Sequence, residues 1–370
     1  MTKKPAIPPD SSAPFPGAER PVSMVHPAPR PRGRNATISD VAERANVSLM
    51  TVSRVVNGSP KVREATRESV LAAIRELNYA PNLAARSLAK AEQIRIAVLY
   101  GKQTSAYLSE FLVGALDEAA GANAQLLLVK WNEGSAETEQ ASLDRLLESA
   151  PTGVVLPPPF SERGVICDGV REAGIASVSV SSGRPRDGLS CVRVNGRQAA
   201  FEMTKRLLDL GHRRIGFIEG PPDQSASTER LAGFQAALVE ADDARATVVE
   251  GDFSFGSGLA AAEKLLDAAD KPTAIFASND DMAAAVITVA HRRGINLPDE
   301  LTVVGFDDTP VATTLWPALT TVRQPISEMA AAAIRLLLVE IRSGEKDVAE
   351  ATDLIMPYTL VERQSAAPPH

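Results

Sequence analysis

From Ile94 onward the chain alternates short apolar runs with longer amphipathic ones, and few architectures satisfy that alternation. IRIAVLY, AQLLLVKW, TGVVLPP, ASVSVS, RIGFIEG, ATVVEGDF, TAIFASND and LTVVGFDD have the composition of buried parallel strands. Between them EFLVGALDEAAG, GRQAAFEMTKRLLDLGH, TERLAGFQAALVE and DMAAAVITVAHRRG repeat apolar residues at helical spacing. Strand, helix and strand in that order make βαβ units, so the expected fold is α/β with doubly wound parallel sheets. Residues 94–363 hold more of this pattern than one sheet accommodates. Two similar lobes are expected, the first over about 94–194 and 326–344, the second over about 195–325 and 345–363. Ligands of such sheets bind at the carboxyl ends of strands. Asn279-Asp280 follows AIFAS and Asp307-Asp308 follows VVGF, which puts polar clusters at two such ends.

The segment before Ile94 has another period altogether. In TISDVAERANVSLMTVSRVVNGSPKV, residues 36–80 read as a small all-α helix-turn-helix headpiece. Thr37 can cap a first helix, with Asp40 complementing its first turn. Ile38, Val41, Ala42 and Ala45 then form one buried stripe. Asn46-Val47 turns, Ser48 can cap a second helix, and Val52, Val55 and Val56 face inward from it. Asn57-Gly58-Ser59-Pro60 stops that helix, and a third buries Val70, Ile74 and Leu77. Leu49, Met50, Ser53, Arg54 and Asn57 are left on the outer face of the second helix. Leu, Met and Arg together on one outward face suit a helix lying in a DNA groove. Arg54 can bond a guanine edge with two donors, and Leu49 and Met50 can meet thymine methyls. Thr51, Ser53 and Asn57 are suited to phosphate, which positions without reading sequence. The plain alternative for Arg54 is an ion pair with an acid such as Glu43.

Charge divides along the same boundary. Residues 1–92 hold 14 Lys/Arg against 8 Asp/Glu, a balance of +6, and the remainder holds 25 against 38, a balance of −13. A basic module on an acidic body implies that only the module meets a polyanion. Residues 1–35 carry nine prolines and no apolar period, so a disordered arm is expected; Arg30, Arg32 and Arg34 could touch phosphate or simply be solvated. No run is long and apolar enough for a membrane helix, and the N-terminus breaks into prolines before a secretory signal can form. A cytoplasmic protein is expected. Cys167 and Cys191 have neither metal nor redox spacing. Phosphate-loop, dinucleotide, hydrolase and metalloprotease motifs are missing, and His26, His212, His291 and His370 are scattered, so neither catalysis nor a cofactor or metal is expected.

With those residues in view, the chain resembles the lactose/galactose-repressor (LacI/GalR) family of bacterial transcription regulators. VSxxTVSRVVNG and ELNYxPNxxARSL carry the resemblance in the headpiece. RLAGF, SNDDMA, VVGFDD and LTTVRQP carry it through the body, over roughly residues 37–363. The resemblance implies a two-lobed body like that of periplasmic sugar-binding proteins. It makes Leu49, Met50 and Arg54 the base readers, although the Leu49-Met50 pair differs from commoner ones. Residues 81–93 correspond to hinge helix and linker, with Asn82, Ala85 and Leu88 at the minor groove and Leu88 as the inserted wedge. Without the resemblance Leu88 reads as a linker residue packing on the body. Effector contacts fall on Arg230, Phe253, Asn279, Asp307 and Gln324, while Asn195 stands near a position where the family commonly has Asp. Structural alternatives are open: Asp307 could cap a helix and Arg230 could bridge lobes. Residues 364–370 read as a tail without the leucine heptads that build a tetramer, and a homodimer is expected, because two headpieces reading a palindromic operator require twofold symmetry. The implied function is an effector-responsive regulator, a repressor of carbohydrate-metabolism genes. A nucleobase or nucleoside effector, or a solute-binding protein, is the alternative.

Overall fold

The computed structural model describes residues 37–56, 62–77, 93–101, 106–181, 183–343 and 351–370. The proline-rich arm, Asn57 and the hinge positions Asn82, Ala85 and Leu88 lie outside the described residues. The chain divides into two units, Met1–Ala91 and Glu92–His370.

The first unit contains helices α1 (Ile38–Arg44), α2 (Leu49–Val56) and α3 (Glu64–Glu76). Thr37 and Asp40 close a capping box: the Thr37 hydroxyl accepts from Asp40 N at 3.3 Å, and the Asp40 carboxylate accepts from Thr37 N at 2.8 Å. Asn46 takes a left-handed φ of 50° and lets the chain reverse into α2. Ser48 Oγ accepts from Thr51 N at 3.2 Å, capping α2. Val41, Ala42, Val52, Val55, Val70 and Ala73 form the core. Ile74 and Leu77, expected inside, are half-buried at its edge, because the small Ala73 takes the central place on α3. The side chain of Val56 falls outside the description.

The second unit holds two six-stranded sheets. The first has β1 (Arg95–Tyr100), β2 (Gln125–Lys130), β3 (Gly153–Leu156), β4 (Ala176–Val180), β5 (Ser190–Val194) and β11 (Asp353–Met356), in the order β11-β5-β4-β3-β1-β2 and all parallel. The second has β6 (Arg214–Glu219), β7 (Arg245–Glu250), β8 (Ala274–Ala277), β9 (Thr302–Asp307), β10 (Thr320–Arg323) and β12 (Thr359–Val361), in the order β12-β10-β9-β8-β6-β7. Helices α4 (Ala106–Gly121), α5 (Ala136–Glu148), α6 (Gly164–Glu172) and α12 (Ile326–Ser343) belong to the first lobe. Helices α7 (Gly196–Asp209), α8 (Ser225–Val239), α9 (Phe255–Asp267), α10 (Asp280–Arg292) and α11 (Pro310–Thr314) belong to the second. In each sheet the chain reverses direction beside the first strand of the lobe, β1 or β6, the place where doubly wound folds open a crevice.

Four details depart from the expectation. Strand β11 pairs with β5 in the first lobe, not with the second lobe, where the sequence places 345–363; the chain crosses between lobes once more before β12. Strand β12 runs antiparallel to β10, so the second sheet has one antiparallel edge. Strands β2 and β7 are sheet edges, and Leu128 and Val248 are exposed there instead of buried. Residues 364–370 are not a free tail. Ser365 is fully buried and donates to Val303 O at 2.6 Å, and Ala367 N bonds Thr302 Oγ1 at 3.0 Å.

Candidate functional site

On α2 the inward valines leave a definite outer face. Leu49 is 51% and Met50 61% exposed. Arg54 is exposed as well, and among the described residues no acid pairs with it, so the alternative of a Glu43 ion pair is not realised. The Thr51 hydroxyl lies 2.9 Å from Ser48 Oγ and helps close the helix start. Ser53 is half-buried. The face therefore offers one unpaired guanidinium flanked by two apolar side chains held out of the core.

In the second unit a cavity of about 490 Å³ opens between the carboxyl ends of both sheets. Leu99 to Gly101 enter it from the end of β1, Trp131 from β2, Pro157 to Phe160 from β3 and Ser181 from β4. Pro221 follows β6, Asp252 and Phe253 follow β7, Asn279 follows β8, and Asp307 ends β9. Both crevices thus face one another.

Arg230, on α8, is only 7% exposed. Its guanidinium carbon sits 3.8 Å from the centroid of the Phe306 ring, which fixes the plane by cation–π contact. Nη1 donates to Ser278 O at 2.5 Å, and Nη2 lies 3.9 Å from Asp307 Oδ1, an ion pair too long for a direct hydrogen bond. Burial pulls the Arg230 pKa down against the neighbouring acids. Burial likewise pushes the Asp307 carboxyl up to about 6, with the Arg230 charge and the Gln324 hydrogen bond opposing it. Asp307 adopts φ 118° and Asp308 φ 59°. This left-handed turn is held because Asp308 pairs with Arg323 at 2.6 Å and with Arg363 at 2.6 Å.

The other expected contacts are less direct. Asn279 lines the cavity, but its Oδ1 caps α10 through Met282 N at 3.0 Å and its Nδ2 donates to Phe253 O at 2.9 Å. Phe253 lines it with φ 66°, its ring packed where a Cβ on Gly220 would collide. Gln324 does not line the cavity. It stands behind Asp307, donating Nε2 to Asp307 Oδ1 at 2.6 Å, so it positions that carboxylate. Asn195 caps α7 through Gln198 N at 3.0 Å and does not reach the cavity. His212 is buried, its ring bonded on both sides, to Thr273 Oγ1 and to Ala367 O, each at 2.9 Å.

The first lobe's wall was not anticipated: Tyr107, whose hydroxyl meets Ser181 Oγ at 2.6 Å, Trp131 and Phe160. For Trp131, directly after β2, its place behind an apolar strand was the available signal. Among the described lining residues, Arg163 is paired with Glu133 at 3.3 Å and with Glu139 at 3.2 Å. Both lining guanidiniums are therefore already matched by carboxylates. Among the described residues no helix is long and apolar enough to cross a membrane.

Comparison with known proteins agrees with both units. Residues 37–82 match the profile described as bacterial regulatory proteins, lacI family, and residues 204–366 match a periplasmic binding protein-like domain. Catabolite control protein A of Priestia megaterium is 34% identical over 337 residues, 90% of this chain and 99% of its own. A solved complex of the transcriptional regulator CelR with cellobiose has TM-score 0.68 at 31% identity, covering 90% of this chain and all of CelR. The lac repressor dimer bound to operator and the anti-inducer ONPF has TM-score 0.75 at 26% identity, again over 90% of this chain and 100% of its own.

Proposed function

The chain belongs to the lacI family of bacterial regulatory proteins, and from that premise we propose that it is an effector-responsive repressor of carbohydrate-metabolism genes. It binds a palindromic operator as a homodimer, because two headpieces reading a palindrome require twofold symmetry. It works in the cytoplasm, where its DNA is.

The observation that carries this reading is the outer face of α2, with Leu49, Met50 and unpaired Arg54 exposed over a closed headpiece core. Arg54 reads a guanine, Leu49 and Met50 meet thymine methyls, and Thr51, Ser53 and Asn57 serve phosphates. The family resemblance assigns Asn82, Ala85 and Leu88 to the minor groove. The relatives support the ligand class: one is solved with cellobiose, and another with both operator and an anti-inducer. Arg230, Asp307 and Asn279 line one cavity with Phe253, and guanidinium, carboxylate and amide together suit neighbouring hydroxyls. Gln324 contributes by holding Asp307.

Selection of bound DNA from a random pool, followed by a mobility-shift assay, tests the reading. A palindrome bound at moderate salt is expected, and Arg54→Ala should lose discrimination between sequences while keeping weak, salt-sensitive affinity. Recovery of no preferred sequence would sink it.

A further inference from the structure

Asp280, the first residue of α10, is fully buried and does not line the cavity. Its Oδ2 accepts from Thr309 N at 2.8 Å and from Thr309 Oγ1 at 3.3 Å, and its Oδ1 accepts from Thr321 Oγ1 at 2.6 Å. Thr309 stands at the N-cap of α11, yet its hydroxyl goes to Asp280 and not to that helix. A Cβ on Gly305 would collide with Asp280 Oδ1, so β9 passes this close only as glycine. The start of α10, the end of β9 and β10 thus meet on one carboxylate. Stability does not account for an acid there. Burial pushes the Asp280 pKa well up and the Asp307 charge adds to it, while the Thr321 and Thr309 bonds hold it down. A buried charge beside another acid weakens a fold relative to an apolar side chain of that size.

What the carboxylate supplies is an anchor for a strained turn. Asp307 and Asp308 both take left-handed φ, 118° and 59°, and Thr309 is the next residue. Backbone of this kind persists only where its surroundings over-determine it. Arg323 and Arg363 hold the Asp308 side chain from one side, and Asp280 holds the backbone where the turn ends. Asn279, one residue before Asp280, lines the cavity as Asp307 does, so the same carboxylate joins the two elements that present these residues. We propose that Asp280 is a positioning residue of the effector site: from α10 it fixes the turn after β9 that aims Asp307 into the cavity, and it acts on ligand affinity through Asp307. This rests on the reading of the cavity as an effector site and adds a residue that does not touch the ligand.

The first measurement needs no ligand. In the full-length protein Asp280→Ala removes the acceptor of the Thr309 amide, and amide exchange over 307–309 should quicken about tenfold while α9 and β6 are unchanged. Asp280→Asn keeps an acceptor for that amide and offers Thr321 a donor, so its exchange should stay close to wild type. Thr321→Val removes one of the donors and should quicken exchange about two- to fivefold, which keeps the test open if Asp280→Ala does not fold. Calorimetry with cellobiose, lactose, maltose, glucose and galactose follows. For whichever of these binds the wild type, Asp280→Ala should weaken affinity about tenfold, and Asp280→Asn should restore most of it. Asp280→Ala with Asp307→Asn should bind no more weakly than Asp307→Asn alone, because both act on one carboxylate. Unchanged exchange over 307–309, acceleration spread evenly through the second unit, or full additivity between Asp280 and Asp307 overturns the proposal. An Asp280→Asn loss as large as that of Asp280→Ala also overturns it. If no saccharide binds to protein that still holds its operator, the sugar reading falls, and exchange alone decides the role of Asp280.

Discussion

Asp307 joins a strained backbone to an unusual titration. Its φ of 118° aims a buried carboxylate into the cavity, and burial pushes its pKa up to about 6. The consequence for binding has a definite sign. Above that pH the group is an anion that accepts from ligand hydroxyls; below it the acid is protonated and the acceptor is weakened. Effector affinity is expected to be flat above about pH 7 and to fall as pH drops through about 6. Asp307→Asn should bind about tenfold or more weakly and lose this pH dependence, as calorimetry from acid to neutral pH would show. A wild-type profile persisting in the variant would remove Asp307 from the site. Folding runs the other way. A carboxyl raised from 3.8 to about 6 contributes stability fully below 3.8 and loses it as pH rises to about 6, so Asp307→Asn should be no less stable at neutral pH. Asp307 and Asn279 were legible in the sequence because polar pairs after apolar strand runs mark strand ends. Trp131 and Tyr107 were not, since an aromatic at a strand end, like Trp131, or in the first turn of a helix, like Tyr107, reads as core. Gln324 was expected as an effector contact, but only coordinates show that it bonds Asp307 from behind and does not line the cavity.

Short helices depend on their ends, and α1 is only seven residues long. Its capping box satisfies donors that no helical carbonyl can reach, so Thr37→Ala should destabilise α1 by about 1 kcal/mol. In the full chain this predicts amide exchange at Val41 and Ala42 roughly fivefold faster, with the second unit unaffected. Uniform acceleration across both units would mean that the cap does not act locally. The same caps explain why the headpiece could be read before its structure: Thr37 with Asp40, and Ser48 with Thr51, punctuate helices whose apolar spacing is regular. Strands β5, β10, β11 and β12 escaped the sequence reading because SCVRV, TTVR, DLIM and TLV are only three to five residues long and each includes a polar residue. Their strand character comes from neighbours distant in sequence, as with β11 beside β5. Tertiary context makes them strands.

At the scale of the second unit, each lobe lends a carboxylate to a helix N-terminus of the other. Glu162, beyond β3, accepts from Ser225 N at 2.7 Å and Ser225 Oγ at 2.8 Å, where α8 begins. Asp281, on α10, accepts from the backbone of Ala106, where α4 begins; burial raises its pKa and that bond lowers it. Arg184 strengthens the first clasp, donating its backbone N to Ser225 Oγ at 2.9 Å and Nε to Glu229 at 2.8 Å. Anions at helix N-termini are stabilised by the free N–H groups and the dipole, about 0.3–1 kcal/mol when exposed and up to about 2 when partly buried. Helix α8 also carries Arg230, so the clasp that holds the lobes together sets the height of a cavity-lining guanidinium. Any ligand held between the lobes shares its free energy with this clasp, since both favour the same arrangement. Glu162→Ala is therefore expected to weaken effector binding about five- to twentyfold, although Glu162 does not border the cavity. Glu162→Ala with Ser225→Ala should be little worse than Glu162→Ala alone, because both remove one interaction. Glu162→Ala with Asp281→Ala should lose nearly the sum of the two, because the clasps are separate. Calorimetry on the three single and two double variants decides it: full additivity between Glu162 and Ser225, or no loss from Glu162→Ala, would show that lobe closure does not draw on these caps.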